Sequence, residues 1–215
     1  MHPNPIFRQQ GDVEALAAAR QMGFGVLTCV VEGEILASHV PFVLGEAERP
    51  KAQLHLVRSN PIARSLAAGE RIRALLAVSG PHAYISPDWY GAADLVPTWN
   101  YQAVHLRGQL VALPDEGIEE SVAALSERFE GLLAAQSGKA PWTLDKMTRK
   151  TLEGMLRAIR PFEFVVETVE STSKFGQNKT PEQRQGAAQG LKNSTIGSEI
   201  DQLIKLMQAV YLAGS

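Results

Sequence analysis

The stretch GPHAYISPDWYGAADLVPTWNYQAVHLRG, residues 80–108, holds five of the chain's seven Trp and Tyr residues, two of its five His and three of its prolines. Rings with polar tips suit a wall that holds a flat ligand while meeting water. The same ring types serve as core or subunit-interface anchors, and both readings stand for Trp89, Tyr90, Trp99 and Tyr101. Pro87, Gly91 and Pro97 interrupt any strand pattern and predict a long ordered loop. NYQAVHLRGQLVAL (100–113) alternates as the strand that leaves it.

Working upstream, residues 12–21 are alanine-rich helix former closed by Gly23 and Gly25. FGVLTCVVEGEILASHVPFVL (24–44) predicts two strands joined at Glu32-Gly33-Glu34, where glycine accepts the positive φ of a tight turn. QLHLV (53–57) predicts a strand, Asn60-Pro61 caps a short helix running to about Gly69, and RIRALLAVSG (71–80) predicts another strand. Downstream, Ile118, Val122, Leu125, Phe129 and Leu132 recur at steps of four and three, the spacing of one helix face. A shorter helical run spans 147–159. In PFEFVVETVE (161–170), Phe162, Phe164 and Val166 alternate with Glu163, Val165 and Glu167 as a one-sided strand would. Thr180, Pro181 and Gln183 have the spacing of N-cap, first helical residue and capping-box partner. A last helix is predicted with Ile196, Ile200, Leu203, Ile204, Met207 and Tyr211 on one face, which needs a docking surface. Six strands with peripheral helices predict a mainly β fold, a closed antiparallel barrel over residues 1–172, followed by a helical extension, 173–215, packed on the barrel or on a partner subunit.

Composition narrows the function. With 45% hydrophobic and 20% charged residues, the chain has the make-up of an ordinary globular protein. A net charge of −2 supplies no field that would draw it to phosphate backbones. Cys29, the one cysteine, lies in an apolar run and reads as a buried thiol in a reducing cytoplasm. No stretch approaches the roughly 20 apolar residues that cross a bilayer, so a cytoplasmic location without membrane contact is expected.

The start of the helix at Asn60 offers backbone N–H groups, and Arg58, Ser59 and Arg64 surround it with donors suited to a phosphate. A cap that holds no ligand accounts for the same residues. His39, His55, His82 and His105 lack the spacing of a zinc site, and no metal is expected. Nucleophile elbows and the usual glycine-rich nucleotide cradles are absent too. A flat, phosphorylated ligand is what these exclusions leave.

The segments GPHAYISPDWY (80–90), VPTWNYQAVHLRG (96–108) and KFGQN (174–178) resemble the PaiB-like family of FMN-binding proteins, called negative transcriptional regulators. In looser form the resemblance runs from HVPF (39–42) through LHLVRSNP (54–61) to PFEF (161–164). It implies the FMN-binding split β-barrel fold, and a homodimer with FMN in clefts lined by both chains. The phosphate would lie near His55, Arg58, Ser59, Asn60 and Arg64. The isoalloxazine ring would lie near Trp99, Asn100, Tyr101 and Gln102, with Tyr84 and Ser86 behind them. KFGQN is similar to the family's Lys-Leu-Ser-Gln-Asn, so Lys174, Gln177 and Asn178 are retained for a polar contact to flavin or loop, while Phe175 and Gly176 replace Leu and Ser. The family's regulatory role contrasts with residues 171–215, which carry five Lys or Arg against three acids and no basic recognition helix. Direct DNA binding is therefore unsupported. Three functions stay open: a flavin-dependent regulator or sensor, an FMN-dependent oxidoreductase of flavin reductase or haem-degrading type, and a flavin store.

Overall fold

In the computed structural model, which describes residues 1–8 and 11–212 except the side chains of Tyr211 and Leu212, helix α1 spans Asp12–Met22. Strands β1 (Phe24–Val31) and β2 (Glu34–Pro41) pair antiparallel with Val31 opposite Glu34. Glu32 and Gly33, with φ of 51° and 87°, make the two-residue turn whose positive φ values match the twist of the strands it joins. β3 (Val43–Leu44) and β4 (Lys51–Val57) follow, then a single helical turn, α2 (Pro61–Arg64). That helix stops well short of Gly69. Arg160 donates to the carbonyls of Ala63 and Leu66, satisfying acceptors that further helical turns would have used.

The aromatic stretch is less of a loop than its prolines suggest. Strand β5 runs from Arg71 to Ile85, so residues 80–85 continue the strand, and the loop proper is 86–97 with a 3₁₀ turn at Pro87–Tyr90. Pro81 falls between the pairing of β5 with β1, which ends at Ala77, and its pairing with β8 (Gly197–Ser198), which begins at His82. β6 (Thr98–Ala112) leaves the loop as expected, and β7 covers Ile159–Lys174. The strand order is β2-β1-β5-β6-β7-β4-β3, with β8 added to β5. Eight strands thus replace the expected six, the two extra being two-residue pairings. The expected ladder closure is not made, because β2 and β3 end the order. In place of a ladder, Asn60 Nδ2 donates to Ser38 Oγ of β2 at 2.6 Å.

Two compact units compose the chain. The first comprises Met1–Ala18, Ser79–His105 and Glu170–Ser215; the second comprises Ala19–Val78 and Leu106–Val169. In the second, alternation buries Leu54 and Leu56 of β4 and Phe162 and Phe164 of β7. Helices α3 (Ile118–Ser137) and α4 (Arg149–Leu156) meet through Ile118, Leu152 and Leu156. Cys29 is buried, and burial pushes its thiol pKa up. Gly108 of β6 has no room for a side chain, since a Cβ would lie 1.9 Å from the Val165 carbonyl oxygen.

In the first unit, α5 (Pro181–Leu191) starts at the expected capping box of Thr180 and Gln183. α6 (Ile200–Leu212) begins later than its apolar pattern suggests. Ile196 is outside it and 55% exposed, because Glu199, at φ 52°, turns the backbone after β8. Of the expected face, Leu203, Ile204 and Met207 are buried against Ala83, Ile85, Tyr90 and the apolar side of α5; the Tyr211 side chain lies outside the described residues. Trp89 seats on α5, where Cβ atoms at Gly186 and Gly190 would come within 2.2 and 2.3 Å of its carbonyl oxygen and ring.

This packing predicts opposite signs for one substitution at two helical glycines. Gly131→Ala in α3, with nothing within 4 Å of the new Cβ, is expected to stabilise by about 0.5–1 kcal/mol through helix propensity. Gly190→Ala is expected to destabilise by about 1–3 kcal/mol through overpacking. Denaturant midpoints of the two variants check the difference.

Candidate functional site

The residues expected at the phosphate all lie in the second unit, at the end of β4 and the start of α2. His55 is half-buried, its Nδ1 has no hydrogen-bond partner, and burial lowers its pKa, which favours a neutral imidazole. Asn60 accepts from Ile62 N–H at 2.9 Å, filling the helix-start donor, and Pro61 has none to offer. Arg58 pairs with Asp115 at 2.7 Å, and its Nε donates to the Arg157 carbonyl at 2.9 Å. Ser59 and Arg64 are exposed. The corner thus carries two guanidinium groups, one of them held by a carboxylate at the surface, where such pairs are weak and an incoming anion can compete.

The residues expected at the flavin ring all lie in the first unit, and β6 sorts them by face. Asn100 and Gln102 point to the buried side, whereas Tyr101 is half-buried and Trp99 is 45% exposed on the opposite side. On the open face the Trp99 ring lies 6.0 Å from His82 and 6.4 Å edge-on to Tyr84, making a small aromatic wall. Ser86 is half-buried at the start of the 3₁₀ turn, where its carbonyl accepts from Trp89 N–H at 3.3 Å. Trp89 and Tyr90 belong to the α5–α6 packing, so the ring-rich stretch divides into structural rings and surface rings.

On the other side of the strand is a cavity of about 300 Å³ lined by His2, Phe7, Tyr90, Val96, Asn100 and Lys174, among others. Asn178 and Lys179 also line it. Lys174 donates to Thr98 Oγ1, and its pKa is lowered by burial and then by the Lys179 charge. Gln177 folds back instead: its Oε1 accepts from Phe175 N–H at 2.8 Å and its Nε2 donates to the Ser173 carbonyl. Its amide therefore braces the turn in which Gly176 takes a φ of +81°, a conformation that suits glycine where the related motif has Ser.

Sequence reasoning overlooked His2, Phe7, Val96 and Lys179. Lys179 was within reach, as the second lysine of KFGQNK; the other three are brought to the cavity by tertiary structure. Among the described residues no group of three or more His, Cys, Asp or Glu is placed to hold a metal, and no helix is long and apolar enough to cross a membrane.

A flavin needs ring surface, hydrogen-bond partners and cations. The chain supplies the open Trp99 wall, the unpartnered His55 Nδ1 and the guanidinium groups of Arg58 and Arg64, so its residues fit FMN in kind.

Comparison with known proteins agrees. Residues 1–168 match the family model described as "Putative FMN-binding domain". "Protease synthase and sporulation protein PAI 2" of Bacillus subtilis is 30% identical over 190 residues, covering 88% of this chain and 87% of the relative. An uncharacterised protein of Emericella nidulans is 25% identical over 209 residues, covering 81% and 83%. Among solved structures, the FAD and heme binding protein from Mycobacterium smegmatis superposes with a TM-score of 0.55 at 16% identity, covering 79% of this chain and 74% of that one, which places the open, mainly antiparallel sheet with the flavin-binding split barrels. The chain belongs to the PaiB-like family of FMN-binding proteins, and FMN is its cofactor.

Proposed function

We propose that the protein is a cytoplasmic FMN-binding homodimer that acts as a flavin-dependent sensor in negative transcriptional control, through a partner and not by reading DNA itself. The observation that carries this reading is the exposed Trp99 wall, which offers a surface for a flavin and a second subunit, in a chain whose net charge of −2 supplies no overall field towards a duplex. The regulatory setting is carried over from the Bacillus subtilis relative, whose name ties it to protease synthesis and sporulation. In this reading His55, Arg58, Ser59, Asn60 and Arg64 hold the phosphate. Trp99 and Tyr101, backed by Tyr84 and Ser86, orient the ring on the open face of β6; Gln102 and Gln177 support strand and turn from behind, and Asn100, Lys174 and Asn178 line the separate cavity on the other face. Each cleft is lined by residues of both chains. FMN, when bound, supplies redox chemistry, while the protein sets its access and hydrogen bonding.

The alternative, an FMN-dependent oxidoreductase on a small substrate, is separated by two measurements on flavin-loaded protein. Retention of promoter DNA that vanishes as salt rises, with no sequence preference, leaves a partner as the route of regulation. Rapid bleaching of the flavin by NADPH with turnover of a substrate would establish the enzyme.

Two variants test the placement. Arg58→Ala combined with Asn60→Ala is expected to abolish flavin retention while the far-ultraviolet spectrum is kept, at a stability cost of about 1 kcal/mol for the lost cap. Full flavin content after purification would reject that phosphate corner. Trp99→Ala is expected to speed flavin loss and to shift the dimer towards monomer in sedimentation, because one ring serves both surfaces.

A further inference from the structure

The cavity of about 300 Å³ in the first unit presents chemical demands that the chain leaves unmet. The Lys174 ammonium lies 5.6 Å from the centre of the Phe7 ring and the Lys179 ammonium 4.9 Å from that of Tyr90. Among the described residues no carboxylate pairs with either, and the charge that acts on Lys174 is the like charge of Lys179. Two cations so placed favour an anion that joins them. Asn100 faces the same cavity at 1% exposure, and its Oδ1 has no partner. Its Nδ2 is turned to Met207 Sδ at 3.6 Å, a weak acceptor. A buried carbonyl oxygen of this kind calls for a donor. Phe7, Val96 and Tyr90 supply apolar wall, and the volume is at the small end for ligand sites.

We propose that this cavity binds a small aromatic carboxylate carrying a hydroxyl or amino group, its carboxylate taken by Lys174 and Lys179 and its O–H or N–H donated to Asn100 Oδ1. As an effector or co-substrate of the flavoprotein the acid rests on the function proposed above; as a ligand it does not.

The test is calorimetric titration of flavin-loaded protein with 4-hydroxybenzoate and with 4-methoxybenzoate, which lacks the donor, while the flavin absorbance of the same sample is followed. The hydroxy acid is expected to bind more tightly than the methoxy acid by on the order of tenfold. Lys179→Gln is expected to weaken both acids by on the order of tenfold, and Asn100→Leu to erase the difference between them. Absence of binding into the millimolar range, equal binding of the two acids to the unaltered protein, or release of FMN as the acid binds would each overturn the proposal, the last by showing that the cavity is the flavin's own. A preparation that takes up no FMN would contradict the flavin reading alone, because the same titrations on that protein still decide the cavity.

Discussion

The two-residue period of β6 is the constraint on which the site depends. The strand occupies the centre of the sheet order, with β5 on one side and β7 on the other, so its backbone is held in place and cannot rotate its side chains to suit a ligand. Asn100 and Gln102 are therefore committed to the interior, and Trp99 to the open side. A polar residue in the interior costs free energy unless it is hydrogen-bonded. The unpartnered Oδ1 of Asn100 carries that cost, which a donor from the proposed ligand would offset.

The ring-rich stretch shows how one composition serves two purposes. Trp89 and Tyr90 lie on the short 3₁₀ turn and anchor α5 and α6, with Gly186 and Gly190 giving the indole its seat. Those glycines weaken α5 as an isolated helix, and the packing of Trp89 against the bare backbone offsets that weakness. The chain after β7 is for this reason an integral part of the first unit's core and not a pendant tail. Trp99, on the open face of β6, has no such seat and remains at the surface with His82 and Tyr84 beside it.

Charge is distributed with the same economy. At the corner of β4 and α2 the donors are largely satisfied within the chain, Asn60 by its own helix start and by Ser38, Arg58 by Asp115 and a backbone carbonyl. Arg58 is solvent-exposed, so an anion can replace its carboxylate at little cost. In the cavity beneath β6 the balance is reversed: two ammonium groups gather around apolar walls, and burial already disfavours the charge on Lys174.

Much of the architecture was legible in the residues because local chemistry specifies it. The Glu32-Gly33 turn, the Thr180 capping box and the alternation of Phe162 and Phe164 each follow from backbone geometry or a period of two, and the long motifs around Trp99 and KFGQN pointed to a flavin family. What needed the tertiary structure was set by partners distant in sequence. The strand that starts at Arg71 was expected to end at Gly80 and runs on to Ile85, where its extension meets β8, and the helix after Asn60 looked longer because Arg160 was not yet at its carbonyls. His2, Phe7 and Val96 carry no signal of a shared cavity, since which side chains meet is decided by long-range packing. Sequence by itself determined the family, the six long strands and the turn between the first two, because these rest on local motifs and a period of two; only the folded chain decided the two short pairings, the open sheet order, which rings are buried, which lysines stand together and which amide is left without a partner.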